Sequence, residues 1–301
     1  GNDKGNAGAG LLILASNGNT IGGKLASGDG NTIRFNADGV TIDGARASAY
    51  TRTNLVQGNT ITSNDGWGVV LAGSVKQVVG TTAADGFGNV IGESGKANAS
   101  GGVRVTANAA GAGSTGNLVG GNVIRSNGGD GVRIDHVKSL GNVVGKVAVG
   151  SVFGRGNEIA DNVGAGVLIE QAARNQVFAN AIFGNASGIT LGGSPAGNAG
   201  QPAPVLTEAT LSGSRITFRG TIGSTSGQKF VIEFFDNESD ASPQARRPIG
   251  SLTVTTTAGG AFVADLALPT AHGVVAGDLI TATVTSTVGN TSSISASIAV
   301  S

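Results

Sequence analysis

Residues 121–135 read GNVIRSNGGDGVRID, and two short patterns lie side by side in them. The first, at 122–127, is Asn-x-Ile-x-x-Asn; the second opens at Gly131 and is Gly-Φ-x-Φ, with Φ aliphatic. Both recur. Gly-Φ-x-Φ opens at Gly10, Gly39, Gly68, Gly102, Gly131, Gly166 and Gly188, at intervals of 29, 29, 34, 29, 35 and 22 residues. Asn-x-Ile-x-x-Asn appears at 31–36, 59–64, 122–127 and 157–162, with a displaced copy at 180–185. A third pattern, Gly-Asn-x-Φ-Gly, surrounds Asn19, Asn117 and Asn142.

An apolar period of two with glycine throughout excludes helices. A unit of about 29 residues carrying three short strands cannot bury its own apolar side, whereas stacked copies can. Stacked at ~4.8 Å per coil, such units predict a right-handed three-sheet parallel β-helix of about seven coils. Ile33, Ile61, Ile124 and Ile159 are expected to point inward as one column. The recurrent asparagines suit the bends, because they tolerate left-handed backbone and their amides can pair from coil to coil.

Composition narrows the possibilities further. The chain has 301 residues, 53 of them glycine, with 19 basic residues against 19 acidic ones and no cysteine or methionine. Zero net charge lacks the electrostatic footprint of a nucleic-acid binder. No apolar run approaches the 18 or more residues of a membrane-spanning helix. Without cysteine there is neither a disulfide nor a thiolate metal site. Absence of methionine even at position 1 is read as a processed or excised piece of something longer. All six prolines lie at Pro195 or beyond, so the repeat keeps its backbone donors for a sheet interior.

The predicted division is therefore 1–192 for the β-helix, 193–202 for a linker, and 203–301 for a second module. There the pattern changes to strict alternation, in segments such as 214–222, 229–235, 251–257, 261–268, 278–285 and 293–300. Short alternating strands separated by turns predict an immunoglobulin-like antiparallel β-sandwich. A linker this short is expected to hold the sandwich against the last coil. At the other end GLLIL (10–14) is apolar on both faces and calls for a covering partner.

The repeat NTIxxN…GVxI resembles the β-helix family that includes pectate lyases, polygalacturonases, epimerases and many non-enzymatic bacterial surface proteins. The C-terminal words PVLTEAT, RGTI, FVIEFFDN, PIGSLTVTT and GDLITATVTSTVGNTSSIS resemble a module of bacterial secreted and surface proteins that commonly follows β-helix repeats. The resemblance implies an extracellular or cell-surface repeat protein, with flanking modules of the same polypeptide as partners. It implies no particular activity. The Asn-Thr-Asp, Asp-Asp and Gly-His-Gly words of the polygalacturonases and the Asp-Pro-His word of the mannuronan epimerases are absent.

Outward positions after each Gly-Φ form two columns. One reads Leu12, Thr41, Val70, Arg104, Arg133, Leu168, Thr190; the other reads Leu14, Asp43, Ala72, Thr106, Asp135, Glu170, Gly192. Arg104 beside Arg133, and Asp135 beside Glu170, make a charge cluster, with His136 and Lys138 just beyond. Paired carboxylates could serve a retaining glycosidase, and an arginine pair could clamp uronate carboxylates of an extracellular polysaccharide. The alternation of sign equally describes a solvated row of cross-strand ion pairs. Tyr50 and Trp67 could stack on a sugar or cover a core edge. Asp236, Glu238 and Asp240 could bind Ca²⁺, though that ion wants six or more oxygens, or could form a solvated hairpin tip. The expectation is a non-enzymatic structural or adhesive segment with no cofactor; the alternative is a carbohydrate-active enzyme or glycan-binding accessory on the outward face.

Overall fold

The structure, a computed structural model, describes residues 5–46, 53–81, 86–146, 156–238, 244–268 and 273–301. Strands Leu11–Leu14, Val40–Asp43, Trp67–Ala72, Gly101–Thr106, Asp130–Asp135, Ala165–Glu170 and Ser187–Gly192 form a seven-stranded parallel sheet. A second sheet has six strands, from Thr20–Gly22 to Gln176–Phe178, and a third has six, from Thr32–Ile33 to Ala181–Phe183. The chain visits the three sheets in rotation, so this is a three-sheet parallel β-helix. Among the described residues it has six complete turns and a seventh strand.

The repeat patterns interlock to make the core. Ile33, Ile61, Ile91, Ile124, Ile159 and Ile182 are register partners along the third sheet. All but Ile33, which is half-buried at the end, are buried. Each buried isoleucine sits over the glycine that opens the preceding Gly-Φ-x-Φ strand. A Cβ at Gly39, Gly68, Gly102 or Gly131 would lie 2.5 Å from Cγ2 of Ile61, Ile91, Ile124 or Ile159, and one at Gly166 would lie 2.4 Å from Ile182. These glycines are thus required by close approach. Ile91 has no counterpart in the isoleucine column expected from sequence, because six residues separate it from Asn98 and break the Asn-x-Ile-x-x-Asn spacing.

Asparagines line all three corners, and their amides run from turn to turn. Between the second and third sheets the ladder is Asn31, Asn59, Asn89, Asn122, Asn157, Asn180, with Nδ2 to Oδ1 distances of 2.8–3.0 Å. Between the third and first it is Asn36, Asn64, Asn98, Asn127, Asn162, Asn185, and Asn6 N donates to Asn36 Oδ1 ahead of it. Between the first and second it is Asn19, Asn54, Gln77, Asn117, Asn142, Asn175, Asn198, with glutamine filling one rung. Asn122 shows the economy of the arrangement. Its Oδ1 accepts from Asn89 N (3.0 Å) and Nδ2 (2.9 Å), while its Nδ2 donates to Asn157 Oδ1 (3.0 Å) and Val79 O (2.9 Å). Every donor and acceptor of the amide is used, which is why a polar side chain can be buried here.

The C-terminal module packs two antiparallel sheets as an immunoglobulin-like sandwich. One holds Val205–Ser212, Arg215–Thr221 and Ala261–Ala267; the other holds Arg247–Thr255, Lys229–Asp236, Leu279–Ser286 and Ile298–Ala299. Phe218 and Phe234 stack across its core, centroids 3.9 Å apart. Ile294, which alternation along 293–300 turns toward this core, instead packs against the β-helix core together with Phe235. The sandwich therefore seals the last turn, and its polar groups take that turn's free N–H groups. Val177 N donates to Thr291 Oγ1 (3.0 Å), Ala179 N to Glu233 (3.0 Å), Ile182 N to Ala245 O (2.8 Å) and Gly184 N to Gln244 Oε1 (2.8 Å).

Candidate functional site

The outward columns of the first sheet have the register expected from the repeat. Leu12, Thr41, Val70, Arg104, Arg133, Leu168 and Thr190 are successive partners, and Asp135 pairs with Glu170. Neighbouring strands place these side chains about 4.8 Å apart, close enough for one guanidinium to reach carboxylates on its own turn and the next. Arg104 Nε and Arg133 Nε both donate to Asp135 Oδ2, at 2.9 and 3.1 Å. Thr106 Oγ1 donates to Asp135 Oδ1. Arg133 Nη2 reaches Glu170 Oε2 at 2.5 Å, and its Nη1 lies 3.8 Å from Asp130. One carboxylate thus holds two arginines, and one arginine touches three carboxylates.

This geometry constrains the chemistry. Asp135 is buried at 8% exposure, and three of its roughly four acceptor sites are taken, two on Oδ2 by the arginines and one on Oδ1 by Thr106. Glu170 is more exposed but shares the Arg133 guanidinium. Arg104 donates through Nε alone among the described residues. Beside the cluster is an open hollow of about 520 Å³, lined by Arg104, Asn108, Arg133, His136, Glu170 and Gln171. Sequence reasoning missed Asn108 and Gln171, which come from the loop after Gly101–Thr106 and from the residue after Ala165–Glu170. Their contribution depends on loop paths rather than on strand periodicity. His136 has a left-handed backbone (φ 79°), and its Nδ1 accepts from Lys138 N at 3.2 Å.

The remaining candidates fall apart from this hollow. The Trp67 ring lies against Gly101, where a Cβ would be 2.3 Å from Cζ3, and Trp67 N donates to Asp38 Oδ1 at 2.7 Å. Gly101 is three residues before Arg104 on the same strand, or roughly 10 Å, so Trp67 does not line the hollow. Tyr50 and Asp240 lie outside the described residues. Asp236 is fully buried, which corrects the picture of a solvated tip. Its carboxylate accepts from Arg247 Nη2 and from Glu238 N (2.9 Å), because this segment folds back on the sandwich: neighbouring Asn237 bonds Thr281 Oγ1 at 3.0 Å. Among the described residues no three His, Cys, Asp or Glu side chains group to hold a metal ion.

One carboxylate escaped the sequence reading altogether. Glu233 alternates outward from the sandwich core, but the outside of that sheet is the junction with the β-helix. Both of its oxygens lie 3.0 Å from Ala179 N. Burial pushes its carboxyl up to about 8, opposed by that N–H and by the charge of Lys146. No helix among the described residues is long and apolar enough to cross a membrane. Set against known protein families and against curated proteins, the chain matches none.

Proposed function

We infer that the chain is a non-enzymatic structural or adhesive segment of a large secreted or cell-surface repeat protein of bacterial type. The observation that carries this reading is the set of three buried amide ladders, which bind each turn to the next on every corner and end at a docked sandwich. Such a body is a stiff spacer with broad flat faces. The charge cluster supports the same reading, since Asp135 is buried and commits most of its acceptor sites to Arg104, Arg133 and Thr106. A general base or nucleophile needs a lone pair directed at substrate. The partners on this reading are flanking modules of the same polypeptide.

A second reading rests on the hollow beside Arg104, whose terminal nitrogens have no partner among the described residues. A carboxylate-bearing sugar is the ligand chemistry it suits. The test is a panel of neutral and uronate polysaccharides, assayed for turnover and for binding with the intact chain and with Asp135→Ala and Arg104→Ala. The structural reading expects no turnover from any of them. Saturable turnover abolished by Asp135→Ala would overturn it, while binding without turnover that Arg104→Ala removes would establish the glycan-binding alternative.

A further inference from the structure

The first turn of the β-helix ends in an open edge of a kind the last turn does not have. Leu11 N and Ala15 N donate forward to Gly39 O (3.0 Å) and Asp43 O (2.8 Å). The alternation of a parallel ladder then turns the N–H groups of Leu12 and Leu14 the other way. Both leucines are also exposed, at 60% and 66%. The amide ladders stop at the same edge. Inside a ladder, each Oδ1 accepts from the asparagine one turn earlier: Asn59 Oδ1 accepts from Asn31 N (3.1 Å) and Nδ2 (3.0 Å). Asn6, Asn19 and Asn31 stand at the start of the three ladders. They are exposed, and among the described residues nothing donates to their Oδ1 atoms.

At the corners the two ends therefore differ in hydrogen-bonding sense. The first-turn edge offers an acceptor oxygen at each of its three corners. At the last turn the sandwich has taken the corner donor Asn198 Nδ2 through Thr291 O (2.8 Å) and the strand N–H groups through Thr291, Glu233, Ala245 and Gln244, with Ala245 N returning a bond to Ile182 O (2.9 Å). We propose that the first-turn edge is an interaction surface for one kind of partner: a parallel β-helix turn of the same three-amide design, presenting its donor-bearing edge. Three corner oxygens and the open strand Leu11–Leu14 match what such a turn carries, and the contact would continue the packing already seen between every pair of turns. A second copy of this chain does not fit. Two first-turn edges brought together oppose corner acceptor to corner acceptor, and the last turn of a second copy is covered by its own sandwich.

The test lengthens the full chain by one turn, inserting a copy of residues 166–184 directly before Asn6. The copied Asn175 and Asn180 then meet Asn19 and Asn31, and Asn6 closes the added turn where Asn185 closes the original. Amide exchange at Leu12 and Leu14 is expected to slow by about 100-fold as an open edge becomes an interior strand, and the copied Arg174 should resist trypsin. Changing both copied asparagines to alanine should abolish the protection. Unchanged exchange with rapid cleavage would overturn the proposal, as would equal protection in the alanine control, which would mean apolar stacking without amide recognition. A dimer of the unlengthened chain with Leu12 and Leu14 already protected would assign the edge to a second copy instead. A second lengthened chain, with residues 102–126 before Asn6, repeats the reading from an independent turn should the first fail to fold.

Discussion

Two kinds of polar ladder climb the β-helix, and they differ in almost every physical respect. The corner ladders are neutral, buried beyond their first rungs and made of asparagine with one glutamine; the outer-face row of Arg104, Arg133, Asp135 and Glu170 is charged, mostly half-exposed and alternates in sign. In the corners, each amide has another amide above and below, so one functional group supplies both donor and acceptor along the stack. On the face, a guanidinium must find a carboxylate, and water competes for both. Burial makes an unmade hydrogen bond costly, whereas exposure makes a lost ion pair cheap. The comparison teaches that the corners, not the charges, should hold the turns together.

The largest effect should come from a corner. Asn122→Ala removes the acceptor of Asn89 N and Nδ2 and a donor to Val79 O and Asn157 Oδ1 in a dry interior, and should cost on the order of 4 kcal/mol at roughly 1–3 per orphaned group. Urea melts measure it; a loss below about 1 kcal/mol would show that water repairs the corner. Ile124→Ala, in the adjoining column, should cost about 2–5 kcal/mol through the cavity it leaves. A cost near zero there would break the account of the interlocked core.

Glu233 is an intermediate case, a buried carboxylate with no close cation; Lys146 is the charged group acting on it. Its folded pKa of about 8 lies above the ordinary 4.5. The folded chain therefore holds a proton that the unfolded chain has lost. This stabilisation is fully present below about 4.5 and is lost as pH rises through about 8. Over that window stability should fall by about 1.4 kcal/mol per pH unit from this group, and Glu233→Gln should flatten the difference. Parallel curves for the two proteins would refute the assignment.

Smaller effects belong to the outer face. Asp135→Asn should cost about 1–3 kcal/mol, since Arg104 and Arg133 would lose the charge they share. Glu170→Gln, at the exposed end of the row, should cost less than about 1 kcal/mol and should become indistinguishable from the intact protein in 1 M salt. If Glu170→Gln proved worse than Asn122→Ala, the ranking of the two ladders would be reversed.

The β-helix was legible because its repeat places like residues in like positions. Gly-Φ-x-Φ located every strand of the first sheet, and the outward columns carried the pairing of Arg104 with Arg133 and of Asp135 with Glu170. What escaped was whatever left the period. Asn89, Ile91 and Asn98 belong to the ladders and the column, but the residues between Ile91 and Asn98 disguise them. Gln77 fills an asparagine rung with a different side chain. Glu233, Phe235 and Ile294 were invisible for another reason: alternation says which side of a strand faces its own sheet partner, not whether the other side meets a second module. The burial of Asp135 likewise depends on Arg104, Arg133 and Thr106 closing over it, a fact of three dimensions.

Consecutive rungs of the second corner ladder are 28, 30, 33, 35 and 23 residues apart in sequence. In space each step is the same ~4.8 Å. Extra residues therefore bulge sideways and add nothing to height. The body is a ruler graduated in turns and indifferent to residue count. Its loops are free to lengthen, shorten and diversify during evolution without moving one end relative to the other, and reach changes only when a whole turn is gained or lost.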